Sequence, residues 1–149
     1  MPKLGTITDE NIRTLVNKWC EGHETNIIET YGHISNWDTK LVTDMSELFA
    51  GKTRFNEDLS GWDMSSVKSA RRMFFNAWSL NKPLPKITKT TVDMEEFLYG
   101  AILFNQPIEM DLNKSCNLKN VFLCTFSCDK TLKMNIEPHD YAYSKIKVN

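Results

Sequence analysis

Four cysteines, three histidines and one recurring aspartate are the residues whose chemistry comes into question first. Cys116, Cys124 and Cys128 lie eight and four apart. A zinc site normally uses a tighter pair plus a second pair, and no His stands nearby to complete one. With Cys20 they read as reduced, structural thiols, and no metal or cofactor is expected. His23, His33 and His139 share no spacing with each other. Asp38 and Asp63 each follow a Trp and lie one repeat apart. Stacked together, two such carboxylates would raise one pKa and act as an acid/base pair. The simpler reading is that each caps its own turn. No Gly-rich phosphate loop and no nucleophile elbow occurs. The expectation is a protein without enzymatic activity.

The bulk numbers agree with an ordinary globular chain. It has 149 residues, 41% apolar and 25% charged, with a net charge of -1. One domain is the default at this length. A near-neutral charge argues against a nucleic-acid partner, which calls for a basic excess. No apolar run reaches the ~18 residues of a membrane span. The first residues show no apolar secretory stretch, so a cytoplasmic location is expected, with a virion as the other setting.

The elements that must position any site come from an internal repeat. Copies begin at Ile34, Leu59, Leu84 and Ile108, and a fifth extended start falls at Leu132. One column reads Asp44, Ser69, Asp93, Asn117, all good helix N-caps. Seven positions on stand Gly51, Asn76, Gly100 and Cys124, of which Gly and Asn suit a helix end. Each copy therefore predicts an extended segment, a turn, a helix of about two turns and another turn. A further column, Asn56, Asn81, Asn105, Asp129, predicts side-chain amides bonded to backbone across copy boundaries. Trp37 and Trp62 are expected in the core. Residues 8–20, TDENIRTLVNKWC, predict an amphipathic helix through Ile12, Leu15, Val16 and Trp19.

The expected architecture is an α/β repeat: a short leucine-rich-repeat-like solenoid of four 24–25-residue strand–helix units over residues 34–131. Residues 1–33 would cap it with the amphipathic helix. Residues 132–149 would close it as a cap or tail.

The stretch WDTKLVTDMSELFAGKTRFNEDLSGWDMSSV carries Trp-Asp, Val-Thr-Asp-Met and Phe-Asn signatures, and VDMEEFLYGAILFNQP repeats the helix and Phe-Asn part. This resembles the BspA-type leucine-rich repeat family. The resemblance implies a binding or adhesion module without catalysis, found in bacterial surface proteins and in intracellular proteins of protists and large DNA viruses.

The expected function is therefore protein–protein interaction, with self-association compatible and the partner unidentified. The alternative is a structural part of a larger assembly such as a viral particle. Contact residues are sought off the fixed columns. Trp78 aligns with Thr53, Ile102 and Phe126, so it is the first candidate for an exposed anchor. Arg71 and Arg72 form a basic pair at an expected helix start, where the dipole disfavours them. Lys86, Glu109 and Asp111 occupy variable positions of the extended segments.

Overall fold

The structure, a computed structural model, describes residues 5–125 and the backbone of residues 133–134. Its helices stand at the N-terminal end: α1, Ile12–Cys20, and α2, Glu24–Tyr31, followed by a single 3-10 turn at Ile34–Asn36. Helix α1 buries Ile12, Leu15, Val16 and Trp19, the stripe that its periodicity predicts. Helix α2 was not expected. Its sequence, ETNIIETY, buries only Ile27 and so shows little periodic signal.

Beyond the 3-10 turn the expected strand–helix solenoid does not form. Among the described residues no helix starts at Asp44, Ser69, Asp93 or Asn117. Strand structure is confined to a two-residue parallel pair, β1 (Glu109–Met110) with β2 (Lys133–Met134). The four copies instead form layers of overlapping turns. Within a layer, alternate N–H groups close tight turns, as in Leu48 N–H to Met45 C=O and Ala50 N–H to Glu47 C=O. The N–H groups between them leave the layer. Those of Met45, Glu47, Phe49 and Gly51 donate to the carbonyls of Ser69, Arg71, Met73 and Phe75. Ala70, Arg72, Phe74 and Asn76 then donate to Asp93, Glu95, Phe97 and Tyr99. Met94, Glu96, Leu98 and Gly100 donate to Asn117, Lys119, Val121 and Leu123. All twelve bonds measure 2.7–2.9 Å.

The physical reason lies in the cap column and three residues beyond it. Asp44, Asp93 and Asn117 accept from the N–H two residues on, the Asx-turn spacing, instead of capping a helix. Glu47, Arg72, Glu96 and Asn120 then take positive φ, between 52° and 57°. A right-handed helix cannot pass through that conformation. Gly51, Asn76, Gly100 and Cys124 also have positive φ, so the stop signals mark turns that end no helix.

The core runs through the layers. Trp37 and Trp62 are buried and stacked, with ring centroids 6.0 Å apart at 15°. Phe74 meets Phe49 and Phe97, each at 5.3 Å. Thr39 and Thr91 are the buried polar side chains among the described residues, and both bond the backbone of another layer. The Asn column is present at the surface. Asn81 N–H donates to Asn56 Oδ1, and Asn105 N–H donates to Asn81 Oδ1. The expected C-terminal cap at 132–149, His139 and the column members Phe126, Cys128 and Asp129 lie outside the described residues, apart from the backbone of β2.

Helix α1 is tied to the first layer by charge. Asp9 accepts from the N–H groups of Thr43 and Asp44 and from the Thr43 hydroxyl. Burial pushes its pKa up, and the three hydrogen bonds together with Arg13 more than offset that, so it lies below the usual value. Asp58 and Asp63 are also lowered, chiefly by the hydroxyls and N–H groups of Ser60 and Ser65. A carboxylate whose pKa is depressed on folding adds stability above its unfolded pKa and loses it as pH falls through the folded one. Melting temperature should therefore hold steady down to about pH 5 and drop below about pH 4. The Asp9→Asn chain should show a shallower acid drop in a pH series of thermal melts.

Candidate functional site

The charged residues singled out in the sequence are paired across layers. Arg72 Nε donates to Glu96 Oε2, its Nη1 lies 3.9 Å from Glu47, and its guanidinium sits 5.1 Å from the Phe75 ring. The Glu96 hydrogen bond raises the Arg72 pKa above its usual value. Arg71 lies 3.9 Å from Glu95, which also takes Lys119 at 3.2 Å and Asn117 at 3.3 Å. The hydrogen bond from Lys119 holds Glu95 below the usual carboxylate range, against a smaller effect of burial. Lys86 pairs with Glu109 at 2.7 Å, and Lys89 with Asp111 at 3.6 Å. No helix begins at Arg71 and Arg72, so no helix dipole opposes them. Both arginines pair with carboxylates of neighbouring layers. The structure does not gather the six expected contact residues. Arg71, Arg72 and Trp78 belong to the turn ladder and its end, while Lys86, Glu109 and Asp111 belong to the extended side of layers three and four.

Trp78 stands apart because nothing polar explains it. It is 51% exposed, and Leu103 in the next layer is 59% exposed. Leu103 N–H donates to the Trp78 carbonyl at 3.3 Å, so the two follow each other across the layer boundary. Ile102 is exposed beside Leu103. In the same two layers the half-buried rings of Phe75 and Tyr99 stack at 5.0 Å and 14°. Leu123 follows at the same level of layer four, where its carbonyl takes the Gly100 N–H. In layer one the corresponding residues are Ala50 and Thr53. The ladder register thus sets Trp78, Leu103, Ile102, Phe75, Tyr99 and Leu123 along one edge of layers two to four. Isolated exposed apolar residues need no explanation, whereas a run of them on successive layers makes a larger apolar patch. The sequence showed Trp78 as off-column. It hid Ile102 and Leu103, which sit among core residues in the string AILF.

The whole layered region corresponds to a known family. A family model described as "Mycoplasma protein of unknown function, DUF285" matches residues 20–137. That span starts at the last residue of α1 and takes in all four layers. The chain belongs to this family. No curated protein and no solved structure matches it. The description attached to DUF285 specifies no activity, so the reading of this member rests on its own surface.

Elsewhere this DUF285 chain offers little convergent chemistry. Among the described residues no group of three or more His, Cys, Asp or Glu could hold a metal ion, and no helix is long and apolar enough to cross a membrane. Asp38 and Asp63 each accept from the N–H two residues on, capping their own turns. A groove of about 340 Å³ lies where α1 and α2 meet the first layer. Lys52 and Arg54 line it together with Glu24 and Glu57, so its charges cancel. Burial raises the Cys20 and Cys116 thiols to about 11 each. At pH 8 only on the order of one thiol in a thousand is then thiolate, the reactive form. Alkylation at that pH should leave Cys20 and Cys116 largely unmodified in the native chain and modify both in denaturant. Peptide mass mapping reads the difference directly.

Proposed function

We propose that this chain is a non-enzymatic protein–protein interaction module whose contact surface is the apolar edge centred on Trp78. The observation that carries the reading is the exposure of Trp78, Ile102 and Leu103 on adjoining layers that are otherwise closed by hydrogen bonds. A rigid ladder holds such side chains in place before a partner arrives, which lowers the entropy cost of binding. The charged columns beside it are already neutralised within the protein, so they set orientation more than affinity. The resemblance of the repeats to BspA-type binding modules points the same way.

The test compares the native chain with Trp78→Ala as bait against an extract of the source cells. A half-exposed Trp still buries part of its ring, so both baits are used well below their own melting temperatures; a buried interface Trp is worth about 2 kcal/mol or more, a loss of at least ~30-fold in affinity. Equal capture of the same partners by both baits would sink the reading.

A further inference from the structure

Certain backbone N–H groups of each layer point back to the layer before. In layer two, Lys68 donates to the Thr43 carbonyl, Ser79 to the Thr53 carbonyl and Asn81 to Asn56 Oδ1. Val92, Leu103 and Asn105 repeat this in layer three. Layer one has only the helical cap before it. By the same register its own groups, on Thr43, Arg54 and Asn56, face that cap.

The cap meets the first of them with a carboxylate. Asp9 accepts from the N–H groups of Thr43 and Asp44 and from the Thr43 hydroxyl. Among the described residues no acceptor meets the N–H of Arg54 or Asn56. Both residues are exposed, and an ionised oxygen is a stronger acceptor than water.

Both residues line the groove of about 340 Å³ between the helices and layer one. Its charges cancel in sum, but they are not spent on one another. Among the described residues Lys52, Arg54 and Glu24 make no ion pair, whereas Arg13, Arg71 and Arg72 all do. Glu57 reaches only His33, at 4.0 Å. A simple anion would gain from the cations and N–H groups and lose against the two glutamates. A simple cation would do the reverse. A ligand that carries both signs matches the whole lining. The groove is at the small end of ligand sites, which suits a single small molecule. Trp19 and Phe55 give it an apolar wall.

We propose that this groove binds a small zwitterion of the α-amino-acid class. Its carboxylate takes the N–H groups of Arg54 and Asn56 beside the Lys52 and Arg54 side chains, as Asp9 does at Thr43. Its ammonium faces Glu24 and Glu57, and an apolar side chain rests on Trp19 and Phe55. No residue of the Trp78 edge lines the groove, and the site does not depend on that edge.

The probe is L-leucine, titrated into the isotope-labelled full chain and followed residue by residue by NMR. Amide shifts should centre on Arg54 and Asn56 and saturate in the millimolar range. N-acetyl-leucine lacks the ammonium and leucinamide lacks the carboxylate. Each should bind roughly tenfold more weakly or worse. Lys52→Gln and Glu24→Gln change partly exposed side chains outside the core, so both chains should keep the native amide spectrum away from the groove. Each should weaken leucine binding by about threefold to fivefold. Shifts centred elsewhere, no saturation, or equal binding of either analogue would overturn the proposal. So would leucine binding that is unchanged in both variants.

Discussion

Phe74→Ala should lower the unfolding free energy by about 3–5 kcal/mol, a large share of what a domain of this size has. Phe74 is fully buried in layer two. Its ring lies nearly parallel to Phe49 of layer one at 10°, and edge-on to Phe97 of layer three at 82°. Truncation leaves a void with an aromatic wall on both sides. The cost of a void depends on how far its surroundings can collapse. Here they can collapse little. The backbone of Phe74 donates to Phe97, and that of Phe49 donates to Met73, so the spacing between layers is fixed by the ladder. The effect should therefore fall at the upper end of the range. Denaturant unfolding of Phe74→Ala beside Trp78→Ala gives the comparison. A loss below ~1.5 kcal/mol for Phe74→Ala would mean that the layers close up, and that the ladder is softer than its bond lengths imply.

The spacing of the layers was legible in the residues because apolar columns recur with the backbone. Met45, Ala70, Met94 and Leu118 stand 24–25 apart and pack against the core, as do Phe49, Phe74, Leu98 and Phe122. The element type was not legible. Asp, Ser and Asn satisfy a backbone N–H equally at a helix start and at an Asx turn, so Asp44 and Asp93 fit both. The deciding residues are Glu47, Arg72 and Glu96, whose positive φ no local rule would assign to Glu or Arg. Each such residue costs on the order of 1–2 kcal/mol of backbone energy. The bonds that offset it run to another layer, as from Glu47 N–H to Arg71 C=O. Such long-range bonds leave no mark on the local sequence. The same holds for the surface. Trp78 was visible as a misfit in its column. The pairing of Arg72 with both Glu47 and Glu96 needs the register, and so does the run from Trp78 to Leu103.

The side chain of Thr39 shows how much of that register rests on single polar atoms. Thr39 is fully buried. Its hydroxyl donates to the Asp63 carbonyl at 3.0 Å and accepts from the Asp63 N–H at 2.8 Å. One oxygen thus satisfies both backbone groups of a residue in the next layer. Val has nearly the same shape, so Thr39→Val creates no void, but it leaves a donor and an acceptor facing an apolar wall. At about 1–2 kcal/mol for each unpaired group, the loss should come to roughly 2–4 kcal/mol. Thr91 offers an internal scale, since its hydroxyl makes one such bond, to the Val67 carbonyl. Thr91→Val should cost about half as much. Thr39→Ser keeps the oxygen and loses only a methyl group, for about 1 kcal/mol. Chemical unfolding of the three variants separates the two contributions. If Thr39→Ser proves as damaging as Thr39→Val, the methyl group carries the stability, and the hydroxyl bridge to Asp63 does not hold the first two layers together.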